Sequence, residues 1–277
     1  NRGSKSAHCS SDNSSRLAMY EKYMTFLQST SQKFIFETTS TYTLRMIAEN
    51  IQNIGENLKK TCLRIGRNPN EVHLIAVSKT FGAGKITDAL SAGILDFGEN
   101  YVQELSEKRT ALIDKNIRWH FIGHLQSNKV KYIAEWIHLI HSVDSPGLCE
   151  EIQKKAEKYN RTIDVLVEVN TSLEATKFGV KPEQAIELIH IADGFPNVQL
   201  KGLMTIGPFT ENKEESRVSF KTLRSIFDEA NRSGNLKKPL QVLSMGMTHD
   251  YETAIEEGST MVRIGTAIFG TRTKLIN

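Results

Sequence analysis

The sequence contains few cysteines, no long apolar run and little net charge. Its three cysteines are odd in number and form no Cys-x-x-Cys pair, which predicts neither a disulfide framework nor a metal site. No apolar stretch approaches the length that crosses a bilayer, and a net charge of +3 gives no footprint for nucleic acid. We therefore expect a cytoplasmic protein of a reducing compartment, without membrane or nucleic-acid partners.

The beginning of the chain differs in composition from the rest. Asn1–Ser15 is rich in serine and poor in apolar residues, so it cannot bury a core. We predict that residues 1–43 are a disordered leader, with a short helix over Tyr20–Leu27, and that residues 44–277 form one domain. The basic residues of the leader would also suit a transit segment, which would direct the protein to mitochondria.

From Leu44 onward, short apolar runs alternate with helical patterns. Leu44–Ile65 carries apolar residues at three- and four-residue spacing, which predicts an amphipathic helix that ends at Gly66. The predicted strands are Val72–Lys79, Ile94–Asn100, Trp119–Gly123, Leu139–Asp144, Ile163–Thr171, Leu200–Gly207, Gln241–Gly246 and Met261–Thr266. The predicted helices between them are Ala83–Ala92, Tyr101–Ile113, Asn128–Trp136, Leu148–Tyr159, Pro182–Ala192, Glu214–Asn231 and Tyr251–Glu257.

This alternation indicates an α/β fold. Strand–helix–strand units pair their strands in parallel through right-handed crossovers, and eight such units predict a closed (β/α)₈ TIM barrel. An open doubly wound sheet is the alternative, but no Gly-x-Gly-x-x-Gly follows the first strand. We interpret Phe81–Gly84 as a strand-to-helix turn, since Ile86 stands where a phosphate loop needs Ser or Thr.

Lys79 ends the first predicted strand. The carboxyl ends of the strands carry the chemistry of such barrels, and a neutral lysine amine there can attack an aldehyde. The alternative is a lysine that closes the strand and extends its amine into solvent. Lys79 is therefore a candidate nucleophile whose role depends on the residues around it.

Small and hydroxyl residues follow the last two predicted strands. Ser244–Thr248 and Ile264–Thr266 lie at the carboxyl ends of strands seven and eight, where barrels of this kind commonly bind phosphate. With Lys79 on the neighbouring first strand, they indicate a phosphorylated aldehyde held as a Schiff base. Pyridoxal 5′-phosphate (PLP) and the sugar phosphate of an aldolase both fit.

Arg263 distinguishes between these ligands. It stands between Val262 and Ile264, so its side chain points to the opposite face of the strand from theirs. An inward arginine needs a partner, which could be Glu99 or Asp144 across the core, or the pyridine nitrogen of PLP. An arginine at that nitrogen would keep it unprotonated and would weaken the ring as an electron sink.

Six stretches in this order resemble the pyridoxal phosphate homeostasis protein family and span about Leu44–Arg272. They are Ala76–Lys79, Phe97–Glu104, Trp119–Gln126, Gly202–Gly207, Leu243–Met247 and Val262–Thr266 with Ile268–Gly270. The resemblance implies a fold-type III PLP barrel, like the N-terminal domain of alanine racemase. Thr248 stands where the family usually has serine, which keeps the hydroxyl.

The resemblance also implies the site residues and PLP as cofactor. They are Lys79 for the Schiff base, Asn100 and Met204 for the ring, Arg263 for the pyridine nitrogen, and Ser244, Gly246, Gly265 and Thr266 for the phosphate.

The implied function is PLP homeostasis, by buffering PLP or delivering it to apo PLP-dependent enzymes. An amino-acid racemase and a Schiff-base aldolase are the alternatives. Racemases of this class add a β-domain that supplies a tyrosine, whereas only residues 270–277 follow the last strand, so we expect a carrier and not an enzyme. Tyr101, Tyr251 and His124 are the candidates for a second acid/base in the racemase alternative.

Overall fold

The structure, a computed structural model, describes residues 42–271 apart from positions 173, 175 and 211. The chain divides into two compact units, Asn1–Met46 and Ile47–Asn277, and the barrel lies in the second. The predicted helix Tyr20–Leu27 and nearly all of the predicted leader fall outside the described residues. Residues 42 and 43 are already helical. Among the described residues, no helix is long and apolar enough to cross a membrane.

Eight parallel strands form a closed barrel in the order β1 to β8, which confirms the predicted fold. Strand β8 pairs with β1 to complete it, with Ala76 opposite Ile264. The strands are β1 His73–Val77, β2 Asp96–Glu99, β3 Arg118–Phe121, β4 Leu139–Val143, β5 Ile163–Glu168, β6 Val198–Met204, β7 Val242–Ser244 and β8 Met261–Ile264. All carboxyl ends therefore face the same side of the barrel.

Helices alternate with these strands. Helix α1 covers residues 42–64, and its buried Ile54, Leu58 and Cys62 recur at four-residue spacing, as the predicted apolar stripe requires. The later helices are α2 Ala83–Ser91, α3 Val102–Ala111, α4 Pro146–Lys158, α5 Pro182–Gly194, α6 Lys213–Arg232, α7 Tyr251–Glu256 and α8 Thr266–Phe269. Gly82 caps the start of α2, so Phe81–Gly84 is the strand-to-helix turn that we predicted.

One predicted helix is different in the structure. Asn128–Trp136 was expected to be α-helical, but the chain forms a 3₁₀ helix over Ser127–Tyr132, followed by turns. A 3₁₀ helix advances about 2.0 Å per residue against about 1.5 Å for an α-helix. The more extended form suits this short return from β3 to β4, and Val130 and Ile133 still pack into the core.

Candidate functional site

A cavity of about 670 Å³ opens at the carboxyl ends of the strands. Five of the eight predicted site residues line it: Lys79, Asn100, Arg263, Gly265 and Thr266. They come from the ends of β1, β2 and β8, which the barrel topology brings side by side. The cavity therefore lies where the sequence predicted the chemistry.

The residues on either side of Lys79 are held by acidic side chains. Ser78 Oγ donates to Glu99 Oε1 at 2.6 Å, and the backbone N–H of Thr80 donates to Glu104 Oε1. Thr80 has a φ of 70°, which is rare for a β-branched residue and costs about 1–3 kcal/mol. The hydrogen bond to Glu104 helps to keep the chain in this turn, and the turn directs half-buried Lys79 to the cavity.

Lys108 hydrogen-bonds to both of these acidic side chains, Glu99 and Glu104. Its Nζ lies 2.6 Å from Glu99 Oε1, 2.7 Å from Glu104 Oε1 and 2.7 Å from the carbonyl oxygen of Ser78. Burial raises the pKa of Glu99, although the hydrogen bonds from Lys108 and Ser78 oppose the change. The geometry of the Lys79 turn thus depends on one buried cation, Lys108. The sequence did not reveal this role, because Lys108 resembles any other charged residue on an amphipathic helix.

Asn100 brings an unsatisfied acceptor to the cavity. Its Oδ1 is buried and has no hydrogen-bond partner among the residues that the structure describes. The backbone of Asn100 packs so closely on Gly123 that a Cβ at position 123 would lie 2.3 Å from the Asn100 carbonyl oxygen. A buried acceptor without a partner costs free energy, so Asn100 is a place where a ligand donor would be stabilised.

Arg263 is almost wholly buried and lines the same cavity. Its Nη1 donates to Ser244 Oγ at 2.7 Å and its Nη2 to the carbonyl oxygen of Thr205 at 2.8 Å. Burial lowers its pKa to about 10, while the charges of Glu168 and Asp250 oppose the change. It remains a cation at neutral pH.

The structural partners that we considered for Arg263 are wrong. Glu99 pairs with Lys108, and Asp144 pairs with His124 Nδ1 at 3.2 Å. Both carboxylates therefore have other partners, and Arg263 is held by neutral oxygens instead.

Gly265 and Thr266 follow β8 and form one wall of the cavity. A Cβ on Gly265 would lie 3.2 Å from the Val77 carbonyl oxygen, which is tighter than an ordinary contact, so the position suits glycine. Thr266 Oγ1 donates to Thr248 Oγ1 at 3.2 Å, and Thr248 also lines the cavity. Thr248 was in the predicted phosphate stretch but not among the predicted site residues. Its hydroxyl at that position was the signal that could have identified it.

The other three predicted residues do not line the cavity. Gly246 has a φ of 93°, and a Cβ there would lie 2.6 Å from Ala254 Cβ, so its glycine serves the turn after β7. Ser244 is fully buried beneath Arg263, which donates to it. Met204 packs inside the barrel against Leu139 and Leu166. These residues lie outside the cavity lining and pack against or hydrogen-bond to the elements that form it.

The candidates for a second acid/base also lie elsewhere. Tyr101 is 62% exposed at the start of α3, and Tyr251 is buried at the start of α7, where burial raises its pKa. His124 stacks on Phe178 with ring centroids 3.9 Å apart. Among the described residues, the titratable side chains that line the cavity beside Lys79 and Arg263 are Lys213, His249 and Asp250. Sequence reasoning missed these three because they follow the strands in loops and helix starts.

Glu168 ends β5 as a buried carboxyl group. Its pKa is raised to about 7, first by burial and then by the nearby charge of Asp144, and Arg263 only partly offsets this. At neutral pH, Glu168 is therefore divided between its two protonation states. It is the described carboxyl group whose ionisation is most directly coupled to the charge of Arg263.

Residues 50–273 match the family described as alanine racemase, N-terminal domain. Alanine racemase of Clostridium difficile superposes with a TM-score of 0.66 at 15% identity over 84% of this chain and 60% of the racemase, a likeness of fold alone. The barrel and the match define the class as alanine racemase-type barrels.

Relatives at higher identity narrow this class. The pyridoxal phosphate homeostasis protein of Aquifex aeolicus is 48% identical over 224 residues, 81% of this chain and 97% of the relative. That of Pseudomonas aeruginosa is 40% identical over 82% of this chain and 96% of its own. This chain belongs to the pyridoxal phosphate homeostasis protein family.

A solved structure agrees with this assignment. PipY of Synechococcus elongatus, solved with PLP bound, superposes with a TM-score of 0.70 at 34% identity, over 81% of this chain and 100% of PipY.

Proposed function

We propose that this chain binds PLP in the carboxyl-end cavity, as a Schiff base of Lys79, and takes part in PLP homeostasis. The observation that carries the proposal is the convergence of Lys79, Arg263, Gly265 and Thr266 on one cavity. Lys79 would hold the cofactor through its amine, since an amine and an aldehyde form a C=N bond with release of one water. Bound PLP supplies a reactive aldehyde and an electron-accepting ring.

The polar groups of the cavity fit this cofactor. Gly265, Thr266 and Thr248 offer backbone and two hydroxyl groups on one wall, which suits a phosphate. Asn100 Oδ1 offers an unused acceptor. Lys213 also lines the cavity and brings a second cation for an anionic ligand. Val77 and Ile122 supply apolar contacts for a ring, as small-molecule sites require.

Arg263 favours holding PLP over transforming a substrate with it. A guanidinium cation beside the pyridine nitrogen opposes protonation of that nitrogen. The unprotonated ring is a weaker electron sink, so it stabilises carbanions less. Arg263 is tied by two hydrogen bonds and keeps its charge, so we expect this effect to persist across the neutral range.

Access to the cavity is consistent with release to other proteins. Phe209 lines the opening while 97% exposed, and Lys79 is only half-buried. A bound molecule would thus have a path to solvent. We propose that the chain buffers PLP and delivers it to apo PLP-dependent enzymes.

Absorbance titration with PLP tests the binding site. The wild type should develop a visible band that Lys79→Ala lacks. Lys213→Ala removes the other lysine among the described residues that line the cavity, and it should keep the band with weaker affinity. A wild type without the band, or a band that survives Lys79→Ala and disappears in Lys213→Ala, would show that the assignment is wrong.

A racemase-type activity is the second candidate, because the chain matches the alanine racemase N-terminal domain and His249 and Asp250 line the cavity. Exchange of the α-proton of amino acids in deuterium oxide separates the two functions. We expect exchange to be negligible for the PLP-loaded chain, while added apo-enzyme gains activity from it. Exchange at enzyme-like rates would replace the carrier proposal with the racemase.

A further inference from the structure

A continuous chain of hydrogen bonds crosses the barrel interior from Arg263 to the opposite end. Arg263 Nη1 donates to Ser244 Oγ at 2.7 Å, and Ser244 Oγ lies 3.0 Å from His141 Nδ1. His141 Nε2 lies 3.0 Å from His120 Nδ1, and His120 Nε2 lies 2.9 Å from Asp96 Oδ1. We call these five side chains the barrel relay.

The barrel relay connects the two ends of the strands. Ser244 is the last residue of β7, whereas Asp96 is the first residue of β2. Arg118, the first residue of β3, donates to Asp96 Oδ1 at 2.7 Å. His120, His141 and Ser244 are completely buried, so no part of the middle of the relay exchanges hydrogen bonds with solvent.

The protonation states of the relay follow from Asp96 and the two histidines. Its burial opposes ionisation, but hydrogen bonds from Arg118 and His120 outweigh burial and hold its pKa well below the usual range. Burial lowers the pKa of His120 and, further, that of His141, so both imidazoles are neutral at pH 7. A neutral imidazole has one donor nitrogen and one acceptor nitrogen.

These states leave one arrangement of protons. The Asp96 carboxylate only accepts, so His120 Nε2 donates to it and His120 Nδ1 accepts from His141 Nε2. His141 Nδ1 then accepts from the Ser244 hydroxyl, whose oxygen accepts from Arg263. In this arrangement, every donor of the relay faces an acceptor.

We infer that His141 and His120 are positioning residues, which fix the orientation of Arg263 through Ser244. With Nη2 bound to the Thr205 carbonyl, the guanidinium has both terminal nitrogens tied and only its remaining donors can face the cavity. This inference rests on the proposed function, since it assigns the relay to the orientation of Arg263 toward bound PLP.

A metal site at the same place is the alternative. Ligand atoms of Asp96, His120 and His138 lie within 4.8 Å of one another, as metal ligands do. Arg118 already forms an ion pair with Asp96, so the carboxylate has its counter-charge without a metal ion. His120 Nε2 also hydrogen-bonds to Asp96 Oδ1, and His120 Nδ1 to His141 Nε2, so both of its ring nitrogens already have partners.

Other charged and titratable groups lie close to the relay and also affect how its charge depends on pH. They are Glu168 and Asp250 at Arg263, and Arg118, His73 and His138 at His120.

The experiment compares two variants that break the relay with one conservative variant, Ser244→Thr, and one control. His141→Phe breaks the relay and keeps a ring of similar size, and Ser244→Ala removes the acceptor of Arg263. The control is His138→Phe, because His138 contacts the His120 ring edge-on at 5.2 Å but lies outside the relay. Each variant is titrated with PLP, and the visible band is recorded from pH 6 to pH 9.

Both relay variants should keep the band, since Lys79 remains, but should bind PLP about tenfold more weakly and shift the pH dependence of the band. Ser244→Thr retains the hydroxyl and should recover most of the affinity, and it keeps the test valid if His141→Phe does not fold. His138→Phe should resemble the wild type.

Three results would overturn the inference. Unchanged affinity and pH profile in folded Ser244→Ala would show that the relay only stabilises the barrel. Equal losses in Ser244→Thr and Ser244→Ala would assign the effect to packing. A change of the wild-type band with added zinc that His138→Phe abolishes would assign the far end to a metal site. Failure of the proposed function is distinct, because the wild type itself would then show no band.

Discussion

Asn100 and Arg263 show two ways in which single residues can be prepared for a ligand. Arg263 has its terminal nitrogens bound to protein oxygens, so its direction is fixed before any ligand arrives. Asn100 keeps a buried acceptor without a partner among the described residues. The first gives orientation, and the second stores a desolvation cost that a ligand donor would relieve.

Asn100→Ala should therefore weaken PLP binding more than it weakens the fold. We expect about tenfold lower affinity, the value of one hydrogen bond, and less than about 1 kcal/mol change in the free energy of unfolding without PLP. Absorbance titration and urea unfolding measure the two quantities. Asn128→Ala, at an exposed amide, is the control and should change neither. Unchanged PLP affinity with clear destabilisation would contradict the role of Asn100.

Glu168 makes a pH-dependent contribution to stability. Its pKa in the folded state is raised to about 7, so folding favours the protonated form. This stability is fully present below the pKa of the unfolded chain and is lost as the pH rises through about 7.

Replacement of this carboxyl group should remove the pH dependence. Between pH 5 and pH 8, we expect the wild type to lose roughly 2–3 kcal/mol of unfolding free energy relative to Glu168→Gln. Urea unfolding at both pH values measures the difference. Parallel profiles, or a wild type that gains stability on this scale as the pH rises, would refute the prediction.

At the scale of elements, helix α3 supports the turn after β1. Lys108 on α3 bonds Glu99 at the end of β2 and Glu104 one helical turn earlier, and these acids hold Ser78 and Thr80. Strand β2 and helix α3 thus hold the residues on either side of Lys79.

Lys108→Met should leave Glu99 buried without its counter-charge. We expect a loss of about 3–5 kcal/mol in unfolding free energy and weaker PLP binding, because the Lys79 turn loses its support. The double variant Lys108→Met/Glu99→Leu should recover much of the stability but not the binding. Lys115→Met, at an exposed lysine in the following loop, should be neutral. Equal stability and equal PLP affinity of Lys108→Met and Lys115→Met would argue against this network.

The contact between the ends of β2 and β3 needs glycine. A Cβ at Gly123 would lie 2.3 Å from the Asn100 carbonyl oxygen, so Gly123→Ala must displace the backbone of a cavity residue. We expect about 1–3 kcal/mol of destabilisation together with weaker PLP binding. Gly147→Ala, inside α4 with open space around it, should be neutral or stabilising by up to about 1 kcal/mol. Similar changes in stability and PLP affinity for Gly123→Ala and Gly147→Ala would show that the close contact at Gly123 does not require glycine.

At the scale of the whole molecule, strand–helix alternation was enough to predict the fold. The local pattern of apolar residues identifies the eight runs and places Lys79 at the end of the first. Eight strand–helix units close into a barrel, and closure brings the strand ends to one cavity. The 3₁₀ helix Ser127–Tyr132 was missed, because periodicity does not distinguish helix types in a short return.

The interior contacts were harder to predict. His120 and His141 stand on different strands, and their hydrogen bond depends on the stagger of side chains inside the closed barrel. Likewise, Lys108 pairs with Glu99 only because α3 folds back over β2. Such contacts depend on three-dimensional register, which a single sequence does not encode in any local pattern.

The central claim is that Lys79 holds PLP covalently. The most direct measurement is intact mass after incubation with PLP and borohydride reduction, with the modified residue mapped by peptide analysis. We expect one added pyridoxyl phosphate group per chain, located on Lys79, and no such addition in Lys79→Ala. Modification spread over surface lysines, or a single modification on another lysine, would contradict it.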